Sequence, residues 1–199
     1  MRVDSSESLR IEPLKPEQWD SEVLDALGAL PAGLNFVLKS RQAGEALPRG
    51  SNVLGMLARH PPLAKAFLTF NAHIAGGTQL NARTRELAII RISWLKRCEY
   101  ELVQHLILGR RAGLAEDELD RLQQHAAPGP WAPADGCVVA AIDEWHAESR
   151  IGDATWAQLQ PHFTTTQLLD LLFLLGCYST LAMALNSIRL PLEPSVSRA

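Results

Sequence analysis

The sequence has little of what marks secreted, membrane-spanning or nucleic-acid-binding proteins. Its 199 residues contain three cysteines, an odd number that lie far apart, which argues against a disulfide framework and favours a reducing compartment. The net charge is −3 and no long basic run occurs, so nucleic acid and anionic membrane surfaces are not expected as main partners. We therefore predict a cytoplasmic protein.

Two further absences narrow the fold. No uninterrupted apolar run reaches the length of about 18 residues that a membrane span requires. The nearest segment, residues 168–190, carries Asp170 and Asn186 and is predicted as a buried bundle helix or a subunit contact. Alternation with a period of two is also missing over any useful length, so the chain is predicted to be all-α.

The sequence does contain apolar residues at helical spacing, in segments that are separated by proline and glycine. Asn52 and Asn81 are predicted N-caps of two of the helices. Residues 31–50 are rich in glycine and proline and are predicted as a loop-like arm. The junction at residues 95–97 is compatible with a kink, a short turn or a continuous helix.

The helical patterns also suggest how the chain is divided. We predict an N-terminal arm and helix over residues 1–51, a helical domain over 52–192 and a tail over 193–199. A loose echo between residues 81–106 and 164–188, each with a cap, an acid and an apolar helix, points to a duplicated helical unit.

One segment concentrates side chains that are capable of chemistry. Cys98, Glu101 and His105 follow each other at i, i+3 and i+7, which places them on one stripe of a helix. A thiol, a carboxylate and an imidazole so arranged could share protons, bind a metal or form a covalent adduct. Equally, Glu101 and His105 could be an exposed i, i+4 pair and Cys98 a small buried hydrophobe.

A metal centre is the weaker of these alternatives. It would need a third ligand such as His60 or His73, and the zinc pattern H-E-x-x-H is absent. Di-iron bundles use Glu-x-x-His and several additional carboxylates. We therefore predict no metal site.

The segment also resembles a known family. The pattern R-x-R-E-L-A-I-I-R, then C-x-Y-E-x-x-x-H, then R-x-A-G-L resembles the carboxymuconolactone decarboxylase family, which includes the alkylhydroperoxidase D-like proteins. The likeness extends over roughly residues 50–192. It implies an alkylhydroperoxidase D-like helical bundle that forms symmetric homo-oligomers, often trimers or hexamers. It also implies that Glu86 belongs to the same site as Cys98 and His105.

The sequence departs from the peroxidase branch of that family at one position. That branch carries Cys-x-x-Cys before its histidine, whereas Glu101 here replaces the second cysteine. A dithiol peroxidase needs a second thiol to resolve the sulfenic acid formed by the first. The resemblance, so modified, indicates a decarboxylase-like lyase more than a peroxidase.

The leading hypothesis is thus a cofactor-free enzyme that uses acid–base chemistry on a small carboxylated or lactone metabolite. His105 would donate the proton to carbon, Glu101 would orient the imidazole, and Glu86 would form a second proton relay or hold a water. Two alternatives remain open. One is a thiol peroxidase or redox protein of peroxiredoxin activity that uses Cys98, and the other is a non-catalytic oligomeric binding protein.

Overall fold

The computed structural model describes residues 8–45, 47–127, 129–194 and 196. Within these ranges the chain forms helices and no strand, which confirms the all-α prediction. A 3₁₀ turn precedes the first α-helix and a π-helical turn, His73–Gly77, follows the fourth. The α-helices are α1 (Ser21–Leu27), α2 (Pro31–Gln42), α3 (Ser51–Leu57), α4 (Pro61–Ala72), α5 (Ala82–Leu95), α6 (Glu99–Arg111), α7 (Glu116–Leu122), α8 (Pro133–Glu148), α9 (Asp153–Leu159) and α10 (Thr165–Ile188).

Contacts within the chain define two compact units. The first comprises Met1–Gly77 with Leu185–Ala199, and the second comprises Thr78–Ala184. The predicted boundaries at residues 51 and 192 follow the extent of a sequence resemblance, and they stay a prediction. The start of the predicted arm and most of the predicted tail lie outside the described residues.

The first unit is built from α1 to α4 around an apolar core. Asp20 accepts a hydrogen bond from the Val23 N–H (2.9 Å) and so caps α1. α1 packs on α4, and burial of their apolar faces is the main stabilising contribution. The core consists of Trp19, Val23, Ala26, Leu27, Leu34, Val37, Leu54, Leu57, Ala58, Ala64 and Leu68.

The prediction of a loop over residues 31–50 is wrong, because α2 occupies most of the segment. Pro31 stands at the first helical position, where its fixed φ and missing N–H favour a helix start. Leu34 and Val37 are buried one turn apart and hold α2 to the core. Gly33 costs about 1 kcal/mol inside a helix, and this burial offsets that cost.

Asn52 is likewise not the N-cap that was predicted. α3 begins at Ser51, and Gly50 takes the N-cap position with a left-handed φ of 84°. The Asn52 backbone N–H donates to Glu193 Oε1 (2.8 Å) and its side-chain Nδ2 donates to the Pro191 carbonyl (2.9 Å). The asparagine therefore ties α3 to the segment that follows α10.

The second unit is organised around α5. Asn81 accepts a hydrogen bond from the Thr84 N–H (2.8 Å), which confirms the predicted cap of this helix. α5 packs against α6, α7 and α8 and is therefore buried on several sides. Its innermost apolar side chains are at most 1% exposed; they are Leu87, Ala88, Ile89, Ile90 and Ile92.

A tight turn separates α5 from α6, so the junction is neither a kink nor a continuous helix. Arg97 adopts a left-handed φ of 55°, and its N–H donates to the Trp94 carbonyl (2.9 Å). The Cys98 N–H donates to the Ser93 carbonyl (2.9 Å). These two bonds form a Schellman motif that ends α5, after which Cys98 serves as the N-cap residue of α6.

α6 returns along α5 at close range. A Cβ at Gly109 would lie only 2.7 Å from Ile90 Cδ1, so a larger residue here would force the Ile90 side chain to move. The hairpin of α5 and α6 brings polar side chains of the two helices face to face.

α10 is the one helix of the described ranges whose length and composition would allow it to cross a membrane. Its most apolar window has a mean hydropathy of 1.9, yet 56% of that window is buried inside the fold, as in a core helix. Leu169, Phe173 and Met183 remain 52%, 58% and 53% exposed. α10 is thus the predicted bundle helix, and the subunit contact stays a prediction.

Candidate active site

Two groups of polar side chains line the interface between α5 and α6. We call Glu86 and His105 the histidine pair, and Ser93, Cys98 and Glu101 the buried trio. Glu86 and Ser93 are seven residues apart and share one face of α5, because seven residues make nearly two full turns. Glu101 and His105 share the facing side of α6, one turn apart.

The histidine pair is joined by a short hydrogen bond. His105 Nδ1 lies 2.7 Å from Glu86 Oε2. In the tautomer with hydrogen on Nδ1, the imidazole donates this bond and the carboxylate oxygen accepts it. The carboxylate thereby fixes both the tautomer and the orientation of the ring. The two side chains are mostly buried, with 8% of Glu86 and 13% of His105 exposed.

The rest of the His105 ring is held by packing. The Tyr178 ring of α10 meets it edge to face, with centroids 5.1 Å apart and an interplanar angle of 90°. Such an aromatic contact contributes about 0.5–1.5 kcal/mol beyond the buried area. Among the described residues, His105 Nε2 has no hydrogen-bond partner. Nε2 is therefore the ring atom that remains for a substrate.

The second oxygen of Glu86 faces a cation. Arg85 Nε lies 3.8 Å from Glu86 Oε1, and the Arg85 side chain is 19% exposed. The Glu86 carboxylate is thus flanked by an imidazole on one oxygen and a guanidinium on the other.

The buried trio is almost sealed from solvent. The Ser93 hydroxyl donates to Glu101 Oε2 (3.3 Å), and Glu101 also shares a hydrogen bond with the Cys98 thiol. Glu101 Oε1 is buried with no hydrogen-bond partner in the described part of the chain. Burial disfavours the charged form and raises the pKa of Glu101 to about 8, so this carboxyl is mostly protonated at neutral pH.

Cys98 is shielded in the same way. Its side chain is 1% exposed. Burial, reinforced by the negative charge of a deprotonated Glu101, raises the pKa of the Cys98 thiol well above its ordinary value. Since the thiolate is the nucleophilic form, burial disfavours reaction at this thiol.

The predicted site residues thus lie on one helix hairpin, although in a different arrangement from the expected one. The carboxylate that orients His105 is Glu86, whereas Glu101 bonds Ser93 and Cys98. Cys98 stands at the N-cap of α6 and not on a helical stripe. That these side chains act in catalysis stays a prediction.

Three contributors escaped the sequence reasoning. Ser93 could have been found from its spacing of seven residues after Glu86. Arg85 is adjacent to Glu86, and that adjacency was the available signal. Tyr178 had no local signal, because its contact with His105 joins helices that are far apart in sequence.

The predicted metal alternative finds no cluster. Within the described ranges, no three side chains of histidine, cysteine, aspartate or glutamate are grouped as ligands would be. His60, one of the candidate third ligands, instead caps α4 by accepting the Leu63 N–H at Nδ1 (3.3 Å).

Comparison with known proteins confirms the resemblance noted in the sequence. Residues 61–144 match the model of the carboxymuconolactone decarboxylase family. This range contains α5, α6 and every member of the histidine pair and the buried trio. No protein of curated function matches the sequence.

Solved structures share the fold at low sequence identity. An alkylhydroperoxidase AhpD core protein from Ralstonia eutropha JMP134, an uncharacterised peroxidase-related protein, is 20% identical with a TM-score of 0.68, over 85% of this chain and 90% of that one. A peroxidase-related protein from Silicibacter sp. TM1040 is 14% identical with a TM-score of 0.70, over 96% and 97%. A cysteine-to-alanine variant of the debrominase Bmp8, in complex with 2,3,4-tribromopyrrole, is 13% identical with a TM-score of 0.71, over 96% and 95%.

Proposed function

We propose that this chain, a member of the carboxymuconolactone decarboxylase family across residues 61–144, is a cofactor-free acid–base enzyme that acts on a small carboxylated or lactone metabolite. The observation that carries the proposal is the Glu86–His105 hydrogen bond of 2.7 Å, which leaves Nε2 as the ring atom for substrate. A histidine so oriented suits general acid catalysis, which typically contributes about 10²–10⁴-fold in rate.

In the proposed reaction the carbon–carbon bond to a carboxylate breaks and CO₂ leaves. The electron pair of that bond is delocalised into a neighbouring carbonyl as an enolate. Protonated His105 then delivers the Nε2 proton to carbon, which restores the carbonyl, and it recovers a proton from solvent. Glu86 keeps its hydrogen bond to Nδ1 throughout and stabilises the positive charge of the imidazolium.

The roles proposed for the two glutamates follow their surroundings. Glu86 is the positioning residue for His105. Glu101 holds a proton at neutral pH, because burial raises its pKa to about 8, and its Oε1 has no hydrogen-bond partner among the described residues. In this proposal Glu101 is a protonated, uncharged side chain that lines the site, and it does not stabilise a positive charge.

The alternative of a thiol peroxidase or redox protein is less well supported. A peroxidatic cysteine needs access to peroxide and a thiolate. Cys98 is 1% exposed and its pKa is raised by burial.

Assembly and location belong to the proposal as well. The exposed apolar side chains Leu169, Phe173 and Met183 of α10 favour a homo-oligomer, and the family resemblance suggests a trimer or hexamer. A cytoplasmic location fits the acidic net charge and the free cysteines. A non-catalytic oligomer would share these features, so the catalytic test decides between the two.

That test replaces His105. The wild type is assayed with a panel of carboxylated lactones for release of CO₂, beside His105→Gln and the control His162→Gln, which changes an exposed histidine. We expect turnover by the wild type and the control, and a loss of about 10²–10⁴-fold in His105→Gln. Absence of turnover by the wild type across the panel, or equal rates in all three proteins, would refute the proposal.

A further inference from the structure

Helix α10 contacts the candidate site from outside the residues that define the family. The family model matches residues 61–144, whereas α10 spans Thr165–Ile188. Tyr178 of this helix is 6% exposed, and its ring lies edge to face with the ring of His105. The family match therefore does not account for the contact between these two side chains.

The hydrogen bond to Glu86 holds the His105 ring at one atom only. Among the residues that the structure describes, the bond from Nδ1 to Glu86 Oε2 (2.7 Å) is the only hydrogen bond of this ring. The torsion that turns a histidine ring about its Cβ–Cγ bond is broad and roughly two-fold. Each time the hydrogen bond opens, the ring can therefore turn and carry Nε2 to another position, unless a second contact holds the ring plane.

The Tyr178 ring provides such a contact. The two ring centroids are 5.1 Å apart and the ring planes are perpendicular. Aromatic rings prefer this arrangement, so a rotation of the imidazole out of it loses favourable contact. The hydrogen bond thus holds Nδ1, and the aromatic contact opposes rotation of the ring plane.

Tyr178 can act in this way because α10 itself is firmly held at this point. Leu174 and Ala182, one turn before and one turn after Tyr178, are fully buried. Nearer the start of α10, Asp170 accepts a hydrogen bond from the Gln79 N–H (2.7 Å). Gln79 lies three residues before the start of α5, so α10 is tied to the segment that leads into that helix.

We propose that Tyr178 is a second positioning residue, which holds the plane of the His105 ring so that Nε2 keeps the position from which it delivers its proton. The catalytic part of this inference rests on the proposed function, whereas the restraint on the ring does not. Because Tyr178 acts through His105, loss of its ring should lower kcat and leave KM unchanged.

Exchange of the Nδ1 hydrogen with solvent measures the restraint without any turnover. A ring N–H that donates to a buried carboxylate is protected from exchange, and it exchanges when the bond opens. In the ¹H NMR spectrum of the full chain, the low-field resonance that His105→Gln abolishes belongs to this hydrogen. Tyr178→Leu removes the aromatic ring and should raise the exchange rate by about 2–10-fold, the factor that corresponds to one aromatic contact.

Matched variants separate positioning from a general loss of stability. Tyr178→Phe keeps the ring and should exchange at the wild-type rate. Leu168→Ala shortens another buried side chain of α10, ten residues before Tyr178, and should lower stability without changing the exchange rate. Equal exchange in the wild type and Tyr178→Leu, or equal rises in Tyr178→Leu and Leu168→Ala, would overturn the inference, as would a wild-type spectrum without this resonance.

The outcome is separable from that of the proposed function. Faster exchange in Tyr178→Leu without turnover of any lactone by the wild type would support the restraint and refute the catalytic proposal. Turnover with equal kcat in the wild type and Tyr178→Leu would refute the positioning role and leave the catalytic proposal intact. If both proposals hold, kcat falls by about 2–10-fold in Tyr178→Leu, KM is unchanged, and Tyr178→Phe has the wild-type rate.

Discussion

The histidine pair and the buried trio lie on the same helix hairpin, yet their carboxyl groups have different neighbours. Glu86 is 6% exposed and has two basic neighbours, His105 and Arg85. Glu101 is 3% exposed and has a hydroxyl and a thiol as its neighbours. At Glu101 burial raises the pKa although the hydroxyl and the thiol beside it lower it, so desolvation outweighs these partners.

The same difference separates the two candidate reactive groups. His105 has a carboxylate to balance a positive charge and a ring nitrogen left for substrate. Cys98 is buried, which raises the pKa of its thiol, and the negative charge of a deprotonated Glu101 would raise that pKa further. Four predictions test this contrast, beginning with the one that should show the largest effect.

The sharpest test is a double-mutant cycle on catalysis. Glu86→Gln and His105→Gln should each lower kcat/KM by about 10²–10⁴-fold, and the double variant should be no worse than His105→Gln alone, because the two act as one unit. Glu101→Gln should instead combine with His105→Gln additively. Steady-state kinetics of the wild type and these variants measure this. Additive losses for Glu86 and His105 would show that they do not act together.

The second prediction concerns stability against pH. The pKa of Glu101 is about 8 in the folded chain and 4.5 ordinarily, so between these values the folded state holds a proton that the unfolded chain has released. Glu101 therefore weakens the fold progressively as pH rises from about 4.5 to 8. Glu101→Gln removes this dependence. The free energy of unfolding of the variant, relative to that of the wild type, should therefore rise by a few kcal/mol, in order of magnitude, as pH increases from about 4.5 to 8.

Urea unfolding at pH 4.5 and at pH 8 measures the difference. Glu22→Gln, which changes an exposed glutamate at the start of α1, is the matched control and should follow the wild-type profile. An identical pH profile for Glu101→Gln and the wild type would mean that Glu101 is ionised in the fold.

The third prediction concerns Ser93. Its hydroxyl donates to Glu101 Oε2 (3.3 Å) and lowers the pKa of that carboxyl. Ser93→Ala should therefore raise the pKa of Glu101 further and cost about 1 kcal/mol of stability. The check is the free energy of unfolding measured against pH. The pH at which stability stops falling should be higher for Ser93→Ala than for the wild type. A shift to lower pH would contradict the hydrogen bond between Ser93 and Glu101.

The smallest effect is expected at Cys98. Cys98→Ala should lower stability by about 1 kcal/mol and leave turnover unchanged, since the buried thiol acts as a small hydrophobe. In the native wild type, iodoacetamide should label the half-buried Cys137 before Cys98. Rapid oxidation of Cys98 by peroxide would restore the peroxidase hypothesis.

The helices that carry the site were predictable from the sequence, because their signals are local. The Asn81 cap and the apolar periodicity of α5 need no knowledge of the rest of the chain. α2 was missed because glycine and proline outweighed a pattern whose meaning depends on burial against other helices. Asn52 was misassigned because its acceptor partners lie at residues 191 and 193.

The candidate site was likewise predictable only in part. Placing Glu86, Glu101 and His105 together followed from the family pattern, but spacing could not tell which carboxyl reaches the imidazole. An i, i+4 neighbour on the same helix and a residue of the facing helix are equally close by spacing alone. The helix crossing near Gly109 and Ile90 decides the matter, and that crossing is a tertiary feature.

The turn from Lys96 to Cys98 acts as a spacer that sets the rotational phase of α6 against α5. Each residue of a helix advances by about 100°, so inserting or deleting one residue here would swing His105 a quarter-turn or more away from Glu86. Changes of length in surface loops elsewhere leave that phase intact. The number of residues in this junction is therefore as much a part of the site as its side chains, and it offers a way to sort related chains by sequence alone.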